Sequence, residues 1–265
     1  DAGQGLNLKA DIVIDRMRSD LKSFGVDIMP PVVDGAPLIT EGGRGEYDLD
    51  ALILIKPGAL EPRWEYEVER FLASGGSVLI LQSGVEVEFN EYSRTGPTLT
   101  DARVGFKDLF NELGIRIGNG LLFGAEPLIM QTSTYRLSMP CIHFIKPRDM
   151  NRVHPATNRQ PALIMPFPSP LWLDEEKLSG LSGVKYSTLF TSGPKSAVRD
   201  FNHPSVSTAL FDPRSMADFY SRPVETDEAT GGKPLAITIS GPMPWRWSNR
   251  TLPSWRTEPD GSLPV

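Results

Sequence analysis

Asp50-Ala51-Leu52-Ile53-Leu54-Ile55-Lys56-Pro57-Gly58 and, downstream, Gly75-Gly76-Ser77-Val78-Leu79-Ile80-Leu81-Gln82-Ser83-Gly84 are the stretches that decide the fold. Both apolar runs lack polar alternation, as strands covered on two faces do. Between them, Pro57-Gly58 breaks the chain, residues 61–73 carry a helical pattern, and Gly75-Gly76 closes it. Strand, helix and strand joined by short connections predict a right-handed parallel crossover. The expected fold class is therefore α/β. It is a mostly parallel, Rossmann-like sheet with helices on both faces, extended by a C-terminal half rich in strands and loops.

Working outward, Ile14, Met17, Leu21 and Phe24 lie on one face of an amphipathic helix capped by Gly25. Val26 to Met29 reads as a short strand ended by Pro30-Pro31. Downstream, Phe106, Leu109, Phe110 and Leu113 form the inward stripe of a helix that Gly114 ends before the β segment Ile115-Arg116-Ile117. Four further strands are expected at Cys141 to Ile145, Ala162 to Met165, Val184 to Leu189 and Leu235 to Ile239. Helical signals are weaker at Glu175 to Lys177 and Ser215 to Tyr220, and Asp212 to Gly232 reads as a polar loop. A single domain over 1–265 is expected, with a core at 8–125 that residues 126–265 complete or extend.

Composition narrows the function classes. With 40% hydrophobic and 23% charged residues in 265, the chain is an ordinary globular one. A net charge of −6, with no basic run, argues against nucleic acid as a partner. The lone Cys141 forms no internal disulfide. No run approaches the roughly 20 apolar residues of a membrane span. The polar start, without an initiator Met, is the one expected of a mature or excised fragment, and a fragment leaves room for targeting or anchoring segments outside it.

Parallel sheets collect strand ends and helix starts at one edge, so the loops to search are Lys56-Pro57-Gly58, Gln82-Ser83-Gly84 and Thr191-Ser192. Ser83 lacks the Gly-x-Ser-x-Gly elbow of a hydrolase nucleophile. Cys141 and His143 read more simply as a core cysteine beside a hydrogen-bonded histidine than as a metal pair, because zinc needs about four ligands. Glu86, Glu88 and Glu91 have no basic or oxyanion partner in view, and Gly42 to Gly45 lacks a phosphate-binding spacing. No catalytic residue, metal site or cofactor is therefore expected. Trp245, Trp247 and Trp255, interleaved with Arg246, Arg250 and Arg256, either pin a proline-rich tail to the domain or contact a protein or glycan.

The order of segments resembles a known family. Asp48 to Pro57, the helix containing Glu67 to Leu72, and Gly75 to Leu81 resemble the core of the auxiliary components of gliding-motility-type ABC transport systems, the GldG type. Leu113 to Ile117 with Gly120-Leu121-Leu122, His154-Pro155-Ala156-Thr157, Leu189 to Ser192 and Lys233 to Gly241 resemble later motifs of that family in the same order. The Trp-rich segment does not align with it. The resemblance implies a class I glutamine-amidotransferase-like fold that lacks the catalytic triad. It also implies an extracytoplasmic, periplasmic location tethered to the inner membrane by flanking anchors, with an ABC permease and ATPase as partners.

The expected function is a non-enzymatic auxiliary or binding domain engaging transporter subunits or an exported or envelope ligand. Two alternatives use the same residues. One is an amidotransferase-like or hydrolase-like enzyme built on Cys141, Ser83 or His154; the other is a glycan-binding module built on Trp245, Trp247 and Trp255.

Overall fold

Strand β1 (Ala51–Ile55), helix α1 (Pro62–Ala73) and strand β2 (Ser77–Leu81) follow one another as the apolar runs and the Gly75-Gly76 stop predict. The computed structural model describes residues 49–88, 98–124, 128–131, 136–139, 141–200 and 231–254, with Lys22 and Leu38. Of two compact units, one comprises residues 50–253 and holds every element named below; the other comprises 1–49 and 254–265. The expected helix at Ile14 to Phe24, the strand at Val26 to Met29, the Gly42 to Gly45 turn, the Ser215 to Tyr220 helix and Trp255 lie outside the described residues.

Pro62 suits the first turn of α1, where its missing N–H costs no hydrogen bond. Gly75, at φ +96°, turns the chain out of the helix in a conformation side chains rarely adopt. The crossover makes β1 and β2 parallel and in register, from Ala51 opposite Ser77 to Ile55 opposite Leu81. Burial alternates along both strands, and Ile53, Ile55, Leu79 and Leu81 are 43–51% exposed.

After β2 come β3 (Val85–Glu88) and β4 (Thr98–Asp101), an antiparallel pair, then helix α2 (Lys107–Glu112) and β5 (Ile115–Ile117). Next are β6 (Gly120–Phe123), β7 (Leu128–Gln131), β8 (Arg136–Met139), β9 (Ile142–Ile145), β10 (Leu163–Pro166) and β11 (Leu171–Leu173). Helix α3 (Glu175–Gly180) is capped by Asp174, whose Oδ1 accepts from Lys177 N–H. Strands β12 (Lys185–Thr191), β13 (Ala197–Asp200) and β14 (Pro234–Ser240) complete the described elements.

Among the described residues the β1–β2 ladder is parallel. The pairs β3–β4, β5–β11, β6–β13, β7–β8, β9–β10 and β12–β14 are antiparallel. Leu122, Ile145, Met150 and Leu235 form a buried cluster against which Met165, Phe190 and Val198 pack, tying strands of the second half to β6.

His143 faces this interior, 4% exposed, with Nε2 2.9 Å from the carbonyl oxygen of Leu122. Burial lowers its pKa, and the bond to Leu122 offsets only part of that. The unfolded chain, with an ordinary histidine pKa near 6.5, takes up a proton that the folded one refuses. Stability from this site is complete above about pH 6.5 and falls as pH drops below it. Urea unfolding from pH 7.5 to 5 should show a shallower loss for His143→Asn than for the parent chain; parallel curves would refute the assignment.

Candidate functional site

The loops at the carboxyl ends of β1 and β2 come together. Lys56 leaves β1 at φ +47° while its N–H donates to Leu81 O at 2.8 Å, and Gly58 follows at φ +61°. A Cβ placed on Gly105 would overlap the Gly58 carbonyl oxygen, so the β1 loop and the turn before α2 meet backbone to backbone. Gln82 Oε1 accepts from Gly105 N–H at 3.2 Å. Its buried Nε2 has no partner among the described residues. Ser83 Oγ lies 2.9 Å from Ser169 Oγ, and Gly84 N–H donates to Ser169 Oγ at 3.0 Å. Ser83 is thus bonded to another hydroxyl rather than to a base.

Thr191 and Ser192 enter by another route. Ser192, 1% exposed, accepts from Lys233 N–H through Oγ at 2.9 Å and donates its own N–H to Lys233 O at 2.8 Å. That clasp sets Lys233 Nζ 4.6 Å from the centre of the Trp172 ring.

Trp172 lines a cavity of about 680 Å³, together with Ala59 of the β1 loop, Arg103, Lys107, Arg116 and Pro170. The β5–β11 register puts Trp172 opposite Arg116, whose guanidinium carbon is 5.9 Å from the ring centre. Arg103, Lys107 and Arg116 are exposed, and among the described residues none pairs with a carboxylate. Asp101 is the carboxylate in the described lining. Sequence reasoning missed these cations. Their local signal is slight: Arg103 and Lys107 are four apart, and nothing short of the β5–β11 pairing brings Trp172 to Arg116.

The other candidates are tied into the structure. Cys141, just before β9, is fully buried, and burial pushes its thiol up to about 12. A thiol with that pKa is about one part in 10⁴ thiolate at pH 8, unlike a nucleophile tuned for attack. The folded chain should resist iodoacetamide at pH 8 and become labelled in urea; labelling at equal rates would disprove this burial. His154 Nδ1 accepts from Ala156 N–H at 3.2 Å, and its Nε2 lies 3.5 Å from Thr238 Oγ1, so His154-Pro155-Ala156-Thr157 organises a loop beside β14. Glu86 is exposed, while the Glu88 side chain and Glu91 lie outside the description. No group of three or more metal-ligating side chains occurs among the described residues, and no helix among them is long and apolar enough to cross a membrane.

Residues 17–262 match the model of an ABC-transport auxiliary family, described as an ABC-type uncharacterized transport system. The chain belongs to this family. No curated protein and no solved structure matches it.

In this auxiliary protein the family match runs through the Trp-rich segment that the motif resemblance leaves unaligned. That segment docks on α1. Arg246 Nε donates to both Glu69 carboxylate oxygens at 3.0 Å, and Nη2 bonds Glu69 Oε1 and, at 3.3 Å, Glu65 Oε2. Trp247 Nε1 donates to Glu69 Oε2 at 3.0 Å, and its ring meets Tyr66 edge-on at 5.4 Å. Trp247 is 8% exposed and Trp245 40% exposed, tilted against Tyr66 at 5.9 Å. Arg63 Nη1 holds the end of the segment through Pro253 O at 3.0 Å. Burial pushes the Glu69 carboxyl up, with Arg246 and Trp247 pulling it back. Burial also works against the Arg246 charge, yet the bonds and charges of Glu69 and Glu65 raise its pKa above the ordinary value.

Proposed function

We propose that this auxiliary protein is a non-enzymatic, extracytoplasmic binding domain of a gliding-motility-type (GldG-type) ABC system. It is tethered to the inner membrane by flanking segments and engages the permease and ATPase assembly or an exported or envelope ligand. The observation that carries the proposal is the family match over 17–262. The bonding of the candidate nucleophiles supports a binding role: Ser83 pairs with Ser169, and Cys141 is sealed in the interior. A mostly parallel, amidotransferase-like sheet is the frame we propose for the domain, supported by the β1–α1–β2 crossover. The ligand face lies at the loops Lys56 to Gly58 and Gln82 to Gly84, with Thr191-Ser192 contributing through Lys233. Trp245 is available to a partner at the margin of the α1 contact.

The test is affinity purification of the full-length protein from detergent-solubilised membranes, with protease added to intact spheroplasts. Co-purifying permease and ATPase, and cleavage by external protease, are the expected results. A protein protected from protease and recovered without either subunit would overturn the proposal.

A further inference from the structure

We infer that the cavity beside Trp172 binds a small organic acid carrying at least two anionic groups, carboxylate or phosphate. This deepens the proposed binding role and rests on it for the identity of the ligand face. The chain as a whole carries a net charge of −6, yet this cavity gathers Arg103, Lys107 and Arg116 against the single carboxylate of Asp101. Like charges collected around a concave surface repel one another and raise the local potential, which a multivalent anion relieves. Among the described residues no protein carboxylate performs that task for the three cations.

Arg116 is also held in place. Arg116 lies across the β5–β11 pair against the Trp172 ring, and Lys233 reaches the same ring from the Ser192 clasp. The indole thus restrains the lining cation Arg116 before any ligand arrives, lowering the entropy lost on binding. Arginine presents paired N–H donors that match carboxylate or phosphate oxygens. Phe110, Ile117 and Pro170 give the lining an apolar portion for a carbon skeleton. A volume of about 680 Å³ suits a metabolite-sized molecule.

Calorimetric titration of the 265-residue chain at low ionic strength tests the assignment, with citrate and fructose 1,6-bisphosphate as probes. Saturable binding of at least one is expected, weakening as salt is added. Preference for citrate identifies a polycarboxylate site, and preference for the bisphosphate a phosphate site. Arg116→Ala and the double variant Arg103→Ala/Lys107→Ala should each weaken binding about tenfold or more. Lys185→Ala, at the exposed start of β12, should bind as the parent does. Folded parent protein that binds neither probe, or cavity variants that bind as tightly as the parent, would overturn the inference. The chain is titrated alone, so this failure leaves the transporter co-purification standing. Anion binding without a co-purifying transporter would instead sink the transport role and keep the site.

Discussion

Arg246→Ala is expected to destabilise the chain by about 3–5 kcal/mol, because it strands the carboxylate of Glu69 in the interior without its bidentate partner. Burial already pushes that carboxyl up, so losing the guanidinium leaves the Trp247 bond alone to pull it back. The same substitution leaves the Trp247–Glu69 and Arg63–Pro253 bonds to hold the segment on α1. Arg250→Ala provides the contrast. Its guanidinium is 48% exposed and 3.8 Å from an Asp108 that is 63% exposed, so its loss should cost less than about 1 kcal/mol. Replacing both members of the buried pair, Arg246→Met with Glu69→Met, should cost less than Arg246→Ala because no charge is stranded. Urea denaturation measures all three. Equal effects for Arg246→Ala and Arg250→Ala would show that the pair does not anchor the segment.

At Phe106 two effects oppose each other. The residue is 0% exposed, lies 6.4 Å from Phe110 ring to ring, and adopts φ +56° at the entrance to α2. Its left-handed backbone costs about 1–2 kcal/mol, which glycine would recover. Truncating a buried phenylalanine loses about 3–5 kcal/mol. Packing therefore wins, and Phe106→Gly should be less stable than the parent by about 1–4 kcal/mol. Phe106→Ala, which loses the ring and keeps the strain, should be the worse of the two. A glycine variant as stable as the parent would mean that strain outweighs packing here.

The contrast between these residues shows how far the sequence can be read. The β1–α1–β2 unit was legible because each signal is local: two apolar runs, a helical stripe, and glycines where the chain must turn. The strand-end loops followed from that unit, and Gly58 and Gln82 do meet at Gly105. The cations of the adjoining cavity were not legible. Arg116 and Trp172 belong to strands that pair antiparallel across intervening strands, and no periodicity announces such a match. Arg246 and Glu69 are 177 residues apart, and neither residue type in its own surroundings signals a buried pair.

By itself, then, the sequence determined the crossover unit, the glycine-bounded turns and the membership of an ABC-transport auxiliary family. Only the tertiary structure decided which cations share a wall and that Trp247 serves as an internal anchor. The physical reason is range. Backbone preference and hydrophobic periodicity act over a few residues and are written locally. Burial, ion pairing and cavity shape depend on which distant segments meet.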